Sequence, residues 1–312
     1  MEDARDKKEL NQILKDTLKN NQDHYKKGEL ANYIPALTKV DPKAVGISMV
    51  DTKGKFYATG EYKKRFTIQS VSKPLTLMLA IMDNGIDSVF DKVGVEPTGD
   101  PFNSIIKLTG FAKPYNPMIN AGAIAVTSMI KGNDKEDKFS RIIGFFRKLA
   151  KNDGLELNQE VYFSEKETGD RNRSLAYYMR DQEIITGNIE EIVDLYFKQC
   201  SIEVNCTDIA NMAAVLANQG VDPVTKERII PRKIARIVRT LMTTCGMYDK
   251  SGNFAIEVGL AAKSGVGGGI MAEVPERFGI GVYGPALDDK GNSIVGMKVL
   301  KELSQKLNLS IF

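Results

Sequence analysis

The chain of 312 residues has one histidine and no tryptophan. A single imidazole excludes every site built on two or more, most catalytic zinc centres among them. It leaves His24 as the only partner for a Ser–His or Cys–His nucleophilic pair. His24 lies in the polar stretch Asn-Gln-Asp-His-Tyr-Lys-Lys-Gly, which ends at Gly28, and reads as a solvated residue at a helix end. An enzyme with this sequence needs a base other than histidine. Cysteine is scarce too: Cys200, Cys206 and Cys245 are odd in number and form no C-x-x-C pair. Neither a disulfide framework nor a metal knuckle is indicated. No apolar run approaches the ~18 residues that cross a bilayer. The charged start, Met-Glu-Asp-Ala-Arg-Asp-Lys-Lys-Glu, lacks the apolar core of a secretory signal. Together these point to a reducing cytoplasm and free thiols. An excess of one charge is also lacking, at 43 Lys+Arg against 40 Asp+Glu, so no footprint for nucleic acid or an anionic membrane is expected. Internal repeats, low-complexity tracts and Pro/Ser linkers are absent.

What is present is a globular pattern, with 42% hydrophobic residues and enough length for a generous core. Leu10, Ile13, Leu14 and Leu18 form one apolar stripe of a first helix. An apolar, β-branched run over 44–50, the turn Asp51-Thr52-Lys53-Gly54 and a second run over 55–59 predict a hairpin. A third extended piece, 65–69, leads directly into Ser70-Val71-Ser72-Lys73-Pro74 and an apolar helix that stops at Asn84-Gly85. From about 85 to 245 the pattern is mostly helical, with Thr207 as an expected N-cap and a stripe after Pro231. Short, Gly-punctuated strands are then expected over 254–258, 260–263, 269–274 and 278–283, followed by a last helix through Val295, Val299 and Leu303. Strands at both ends with helices between predict an α+β fold. Its antiparallel sheet is split in sequence (1–84 and 246–312), a helical domain over 85–245 is inserted, and the active site lies between them.

Three features carry chemistry. In Ser70-x-x-Lys73 nearly one helical turn separates the two side chains, so the amine can reach the hydroxyl. Burial that depresses its pKa makes such an amine a base for serine. The nearby helix N-terminus favours developing negative charge. The second feature is Lys263-Ser264-Gly265-Val266-Gly267-Gly268-Gly269 at a strand end, which lacks the residue order of a phosphate-binding loop. A Lys-Ser-Gly edge strand after a Ser-x-x-Lys helix is the arrangement of serine β-lactamases and penicillin-binding proteins, whose edge strand supplies an oxyanion-hole N–H. The third comprises Tyr115-Asn116-Pro117-Met118-Ile119-Asn120-Ala121-Gly122 and Ser164-Glu165-Lys166-Glu167-Thr168-Gly169-Asp170-Arg171-Asn172. Asn120 is open to a second reading as a mere helix N-cap, and Glu165 as a solvated loop charge.

Taken in order with Cys245-Gly246-Met247-Tyr248-Asp249, these motifs resemble the serine-dependent glutaminases of bacteria and animal mitochondria over nearly the whole chain from Asn32 onward. The resemblance implies a β-lactamase-like fold and hydrolysis of the side-chain amide of L-glutamine to glutamate and ammonia, without metal or organic cofactor. It implies Ser70 as nucleophile and Lys73 as its base, with Tyr33 and Tyr248 beside them. The N–H groups of Ser70 and Val266 would form the oxyanion hole. Asn120, Glu165, Asn172 and Tyr196 would hold the amino-acid end, and the assembly would be a homodimer or homotetramer. The chemistry agrees: a zwitterionic substrate needs an acceptor for its ammonium, as Glu165 offers, and donors for its carboxylate, as Asn and Tyr offer. The rivals are another serine hydrolase of the same fold acting on β-lactams or peptide amides, and a non-catalytic module that binds glutamine or glutamate.

Overall fold

The computed structural model describes residues 2–99 and 113–312 and, among these, the side chains from residue 8 onward. The strands among them are β1 (Gly46–Asp51), β2 (Phe56–Gly60), β3 (Phe66–Thr67), β4 (Glu203–Val204), β5 (Ala261–Ser264), β6 (Gly269–Val274) and β7 (Phe278–Tyr283). The helices among them begin with α1 (Glu2–Asn21), α2 (Ser72–Asn84), α3 (Ile86–Lys92), α4 (Asn120–Ser128), α5 (Lys135–Ala150) and α6 (Gln159–Glu167). They continue with α7 (Asp170–Asp181), α8 (Ile189–Cys200), α9 (Cys206–Ala217), α10 (Arg232–Cys245), α11 (Ser251–Glu257) and α12 (Ile294–Leu307).

The main sheet has the order β2-β1-β7-β6-β5 and is antiparallel throughout. Its split is real: β1 pairs with β7 in the register Gly46↔Tyr283 to Asp51↔Phe278. Alternation along the strands divides the side chains between two layers. Ile47, Met49, Ile280 and Val282 join Leu14 and Leu18 of α1 and Val295, Val299 and Leu303 of α12 in one core. The opposite face is covered by α9. There Gly279 and Gly281 replace side chains, because a Cβ on the first would run into the Ala214 nitrogen and on the second into the Cys206 carbonyl oxygen. Ala210 and Ala214 complete this close approach against Val50. A helix drawn from the expected insertion, of which residues 100–112 lie outside the described residues, therefore lies directly on the sheet.

Two expected elements differ. Residues 254–258 are not a strand: 254–257 lie in α11 and Val258 is its C-cap. Phe254 and Val258, four apart, are both buried while Ile256 is 86% exposed. A strand would place all three on one face, whereas a helical turn separates them. The N-cap of α9 is Asn205, not Thr207: its side chain accepts from the amides of Thr207 and Asp208, and Asp208 returns a bond to the Asn205 amide, a complete capping box. The extended piece over 65–69 contributes only β3, which pairs with β4 outside the main sheet.

Candidate active site

Ser70 stands in a short turn, Gln69–Val71, that hands over to α2. Gln69 takes a left-handed backbone, φ 48°, and Ser70 is buried. A non-glycine residue holds such a conformation only where its surroundings impose it. The Gly-rich turn after β5 presses against this segment. A Cβ at Gly265 would lie 3.0 Å from the Ile68 oxygen and 3.4 Å from the Ser70 nitrogen, and one at Gly267 2.5 Å from the Thr67 oxygen. Glycine thus brings the backbone carrying Val266 alongside the serine.

Lys73 is enclosed, and its Nζ donates to Asn120 Oδ1 at 2.7 Å and to the Met118 carbonyl at 3.2 Å. Burial lowers its pKa to about 8, against smaller opposing effects of Cys200 and Glu165. The Asn120 side chain makes no cap bond; the N-cap of α4 is Ile119. Its Oδ1 also accepts from the Tyr196 hydroxyl at 3.3 Å, and its Nδ2 donates to Asn172 Oδ1 at 2.9 Å. The amide is oriented from three sides, which removes the reading of Asn120 as a mere cap. Glu165 is buried on α6 rather than solvated in a loop. Ser201 Oγ donates to its Oε2 at 3.3 Å. Burial pushes its pKa up to about 8 despite Ser201, Lys73 and Gln69.

Tyr248 has φ 52° and is buried. Burial pushes its hydroxyl pKa up, partly offset by a hydrogen bond with Ser70. Tyr33 is 50% exposed as a residue, yet burial of its hydroxyl end, with Tyr248 and Glu165 near it, pushes that pKa up as well. Its loop is anchored by Ile34, which packs with Val161, Tyr248 and Val266. The Ala36 amide adds a bond to Ser164 Oγ at 3.3 Å. The site residues expected from the resemblance therefore fall around one seam. A cleft of about 120 Å³, lined by Asn116, Met118, Ile119, Cys245 and Tyr248, opens beside it.

Sequence reasoning passed over Gln69, Cys200, Ser201 and Lys263. Cys200 interacts with Tyr196 and Ser72, and burial pushes its thiol pKa up. Its spacing of four from Tyr196 on α8 was the available signal. Lys263 stood inside a motif already noted. His24 is partly exposed in the turn after α1. Among the described residues, no group of three His, Cys, Asp or Glu is placed to hold a metal, and no helix is long and apolar enough to cross a membrane.

The glutaminase family model matches residues 28–312. The chain belongs to the glutaminase family. It is 57% identical over 305 residues to Glutaminase 2 of Clostridium perfringens, spanning 97% of this chain and all of the relative. A probable glutaminase from Bacillus subtilis complexed with 6-diazo-5-oxo-L-norleucine superposes with a TM-score of 0.89 at 39% identity, over 96% of each chain. A covalent complex of a Bacillus subtilis glutaminase with 5-oxo-L-norleucine, formed by reaction with that diazo compound, gives 0.89 at 39% identity over 96% of this chain and 98% of that one. The fold is the β-lactamase-like one of these glutaminases. The protein is an amidohydrolase that acts on the side-chain amide of glutamine, releasing glutamate and ammonia. Glutaminase membership ranks this activity above β-lactam or peptide hydrolysis and above passive binding.

Proposed function

We propose that this glutaminase works through a γ-glutamyl ester of Ser70. The observation that carries the reading is a buried lysine, its pKa lowered to about 8, one helical turn from a serine whose hydroxyl meets that of Tyr248. Neutral Lys73 takes the Ser70 proton as Oγ attacks the amide carbon. The tetrahedral oxyanion is held by the N–H groups of Ser70 and Val266, whose backbones the Gly265 contact brings together. Tyr248 passes a proton to the departing nitrogen, which leaves as ammonia, and its own proton is restored from Lys73. Water then attacks the ester, giving glutamate and free Ser70.

Glu165 receives the substrate ammonium. Its carboxyl, raised to about 8 when the site is empty, ionises as the cation arrives, so binding at neutral pH releases a proton. Asn120, Asn172 and Tyr196 face the carboxylate, and Tyr33 closes the site near Tyr248. Residues before 85 and after 245 supply Tyr33, Ser70, Lys73, Tyr248 and Val266, and 85–245 supplies the four others. This division of labour supports a two-part organisation with the site between the parts. The buried free cysteines Cys200, Cys206 and Cys245 support a cytoplasmic location, where partners other than glutamine, nucleic acid and membrane included, are not required. Assembly as a homodimer or homotetramer belongs to the same reading, and light scattering on the purified chain tests it.

Hydroxylamine added during turnover tests the covalent step. γ-Glutamyl hydroxamate is the expected product, and its absence while ammonia release continues would sink the ester intermediate.

A further inference from the structure

The proposed reaction leaves one buried lysine unused. Lys263 on β5 is fully enclosed. Its Nζ donates to the Ser264 carbonyl at 2.7 Å and to the Gly246 carbonyl at 3.1 Å, and it stands 4.3 Å from the centroid of the Tyr248 ring. Burial, followed by the nearby Lys73, holds its pKa well below the ordinary range. The two carbonyl bonds need only two N–H donors, so they persist whether the amine is charged or neutral.

Those carbonyls matter for where they lie. Gly246 is pressed onto β5 so closely that a Cβ would strike the Ala262 oxygen, and its carbonyl also accepts from the Ser264 amide at 3.1 Å. Two residues later the chain enters the left-handed backbone of Tyr248. One side of that turn is fastened by Ser251, whose Oγ donates to the Tyr248 carbonyl at 2.9 Å and accepts from the Met247 amide at 3.0 Å. On the other side stands Lys263, bridging the start of the turn, the strand and the ring face.

We propose that Lys263 is a positioning residue: it ties the turn over 246–248 to β5 and, by backing the Tyr248 ring, aims the phenol at Ser70. The inference rests on the proton-relay role proposed for Tyr248. Lys263 acts through that ring, not on the substrate.

A double-mutant cycle in the full-length protein tests this, comparing Lys263→Met, Tyr248→Phe and the pair. Methionine keeps the length of the stem and removes the donors. Loss of aim by about an ångström predicts a kcat roughly 100-fold lower for Lys263→Met, with KM within a few-fold of the parent. The decisive outcome is that Lys263→Met has no further effect in the Tyr248→Phe background. An equal loss in both backgrounds, or no loss in the parent, overturns the inference. If Tyr248→Phe alone leaves kcat unchanged, it is the relay role of Tyr248 that fails, a distinguishable result that removes the basis of the inference with it. Should the Met variant not fold, Lys263→Gln, with two N–H donors on a shorter stem, runs the same cycle, and the same outcomes support or overturn the inference.

Discussion

Two seams of this molecule are built on glycine and carry opposite chemistry. Where α9 lies on the sheet, Gly279, Gly281, Ala210 and Ala214 bring backbone against backbone with no ionisable side chain among them. Where the turn after β5 meets the start of α2, Gly265 and Gly267 allow a somewhat looser backbone approach around Ser70. That second seam also buries Lys73, Glu165 and Lys263 and holds Gln69 and Tyr248 in left-handed backbone. Burying ionisable groups and straining a backbone both oppose folding. The first seam stabilises the molecule; the second draws on that stability to keep an amine and a carboxyl out of water, where their proton affinities suit the reaction.

Substitutions should sort by seam. The largest effect is expected for Ser70→Ala, which removes the proposed nucleophile: ammonia release from glutamine falls by roughly 10⁴-fold or more, with the thermal midpoint unchanged or higher. Turnover within about tenfold of the parent would sink the role of Ser70. Gly279→Val forces a branched side chain into the α9 backbone, so stability drops by about 3 kcal/mol or more in denaturant melts, while activity per folded molecule is retained. If that variant lost activity but not stability, the contrast between the seams would collapse.

Glu165→Gln removes the proposed acceptor for the ammonium and should lower kcat/KM by about 100-fold, chiefly through KM. Its effect on stability has a defined sign. The carboxyl titrates near 4.5 when unfolded and about 8 when folded. Its neutral form is therefore favoured in the native state, and parent stability declines as pH rises between those values. The Gln variant escapes that decline, so its thermal midpoint should exceed the parent's by more at pH 8 than at pH 5. A constant difference would mean that Glu165 does not titrate in this way. For Lys73, lowered to about 8 in the empty site, kcat/KM should fall at least tenfold per pH unit below that value and level off above it. A rate independent of pH between 6 and 8 would count against Lys73 as base. The smallest effect belongs to the first seam: Asn205→Ala removes the cap of α9 at about 1 kcal/mol of stability, without altering kcat or KM.

The split sheet is readable in the sequence because apolar, β-branched or Gly-punctuated short runs sit at both ends of the chain and a hairpin turn marks the first. The proposed site is drawn from motif order, which marks Ser70, Lys73, Tyr248 and Val266 as one set. Residues 254–258 mislead because a five-residue apolar stretch fits either period until the exposure of Ile256 decides. The burial of Glu165 leaves no local trace, since only the packing of α6 against the Tyr33 loop and Ser201 encloses it. The left-handed Gln69 and Tyr248 cannot be foreseen, because neither residue type announces that conformation as glycine does.

The pairing of β1 with β7 has a consequence in time. Ile47 meets Val282 about 235 residues further along the chain. At about 5–20 residues per second, synthesis leaves the completed hairpin without its central neighbour for roughly 10–50 s. During that interval the apolar edge of β1, with Ile47 and Met49, is open to any other strand. Ser70 and Lys73 leave the ribosome in the same early portion, well before Tyr248 and Val266. On the proposed assignment a nascent chain stays inert until Tyr248 and Val266 have arrived, shortly before β7 emerges to join the two parts of the sheet.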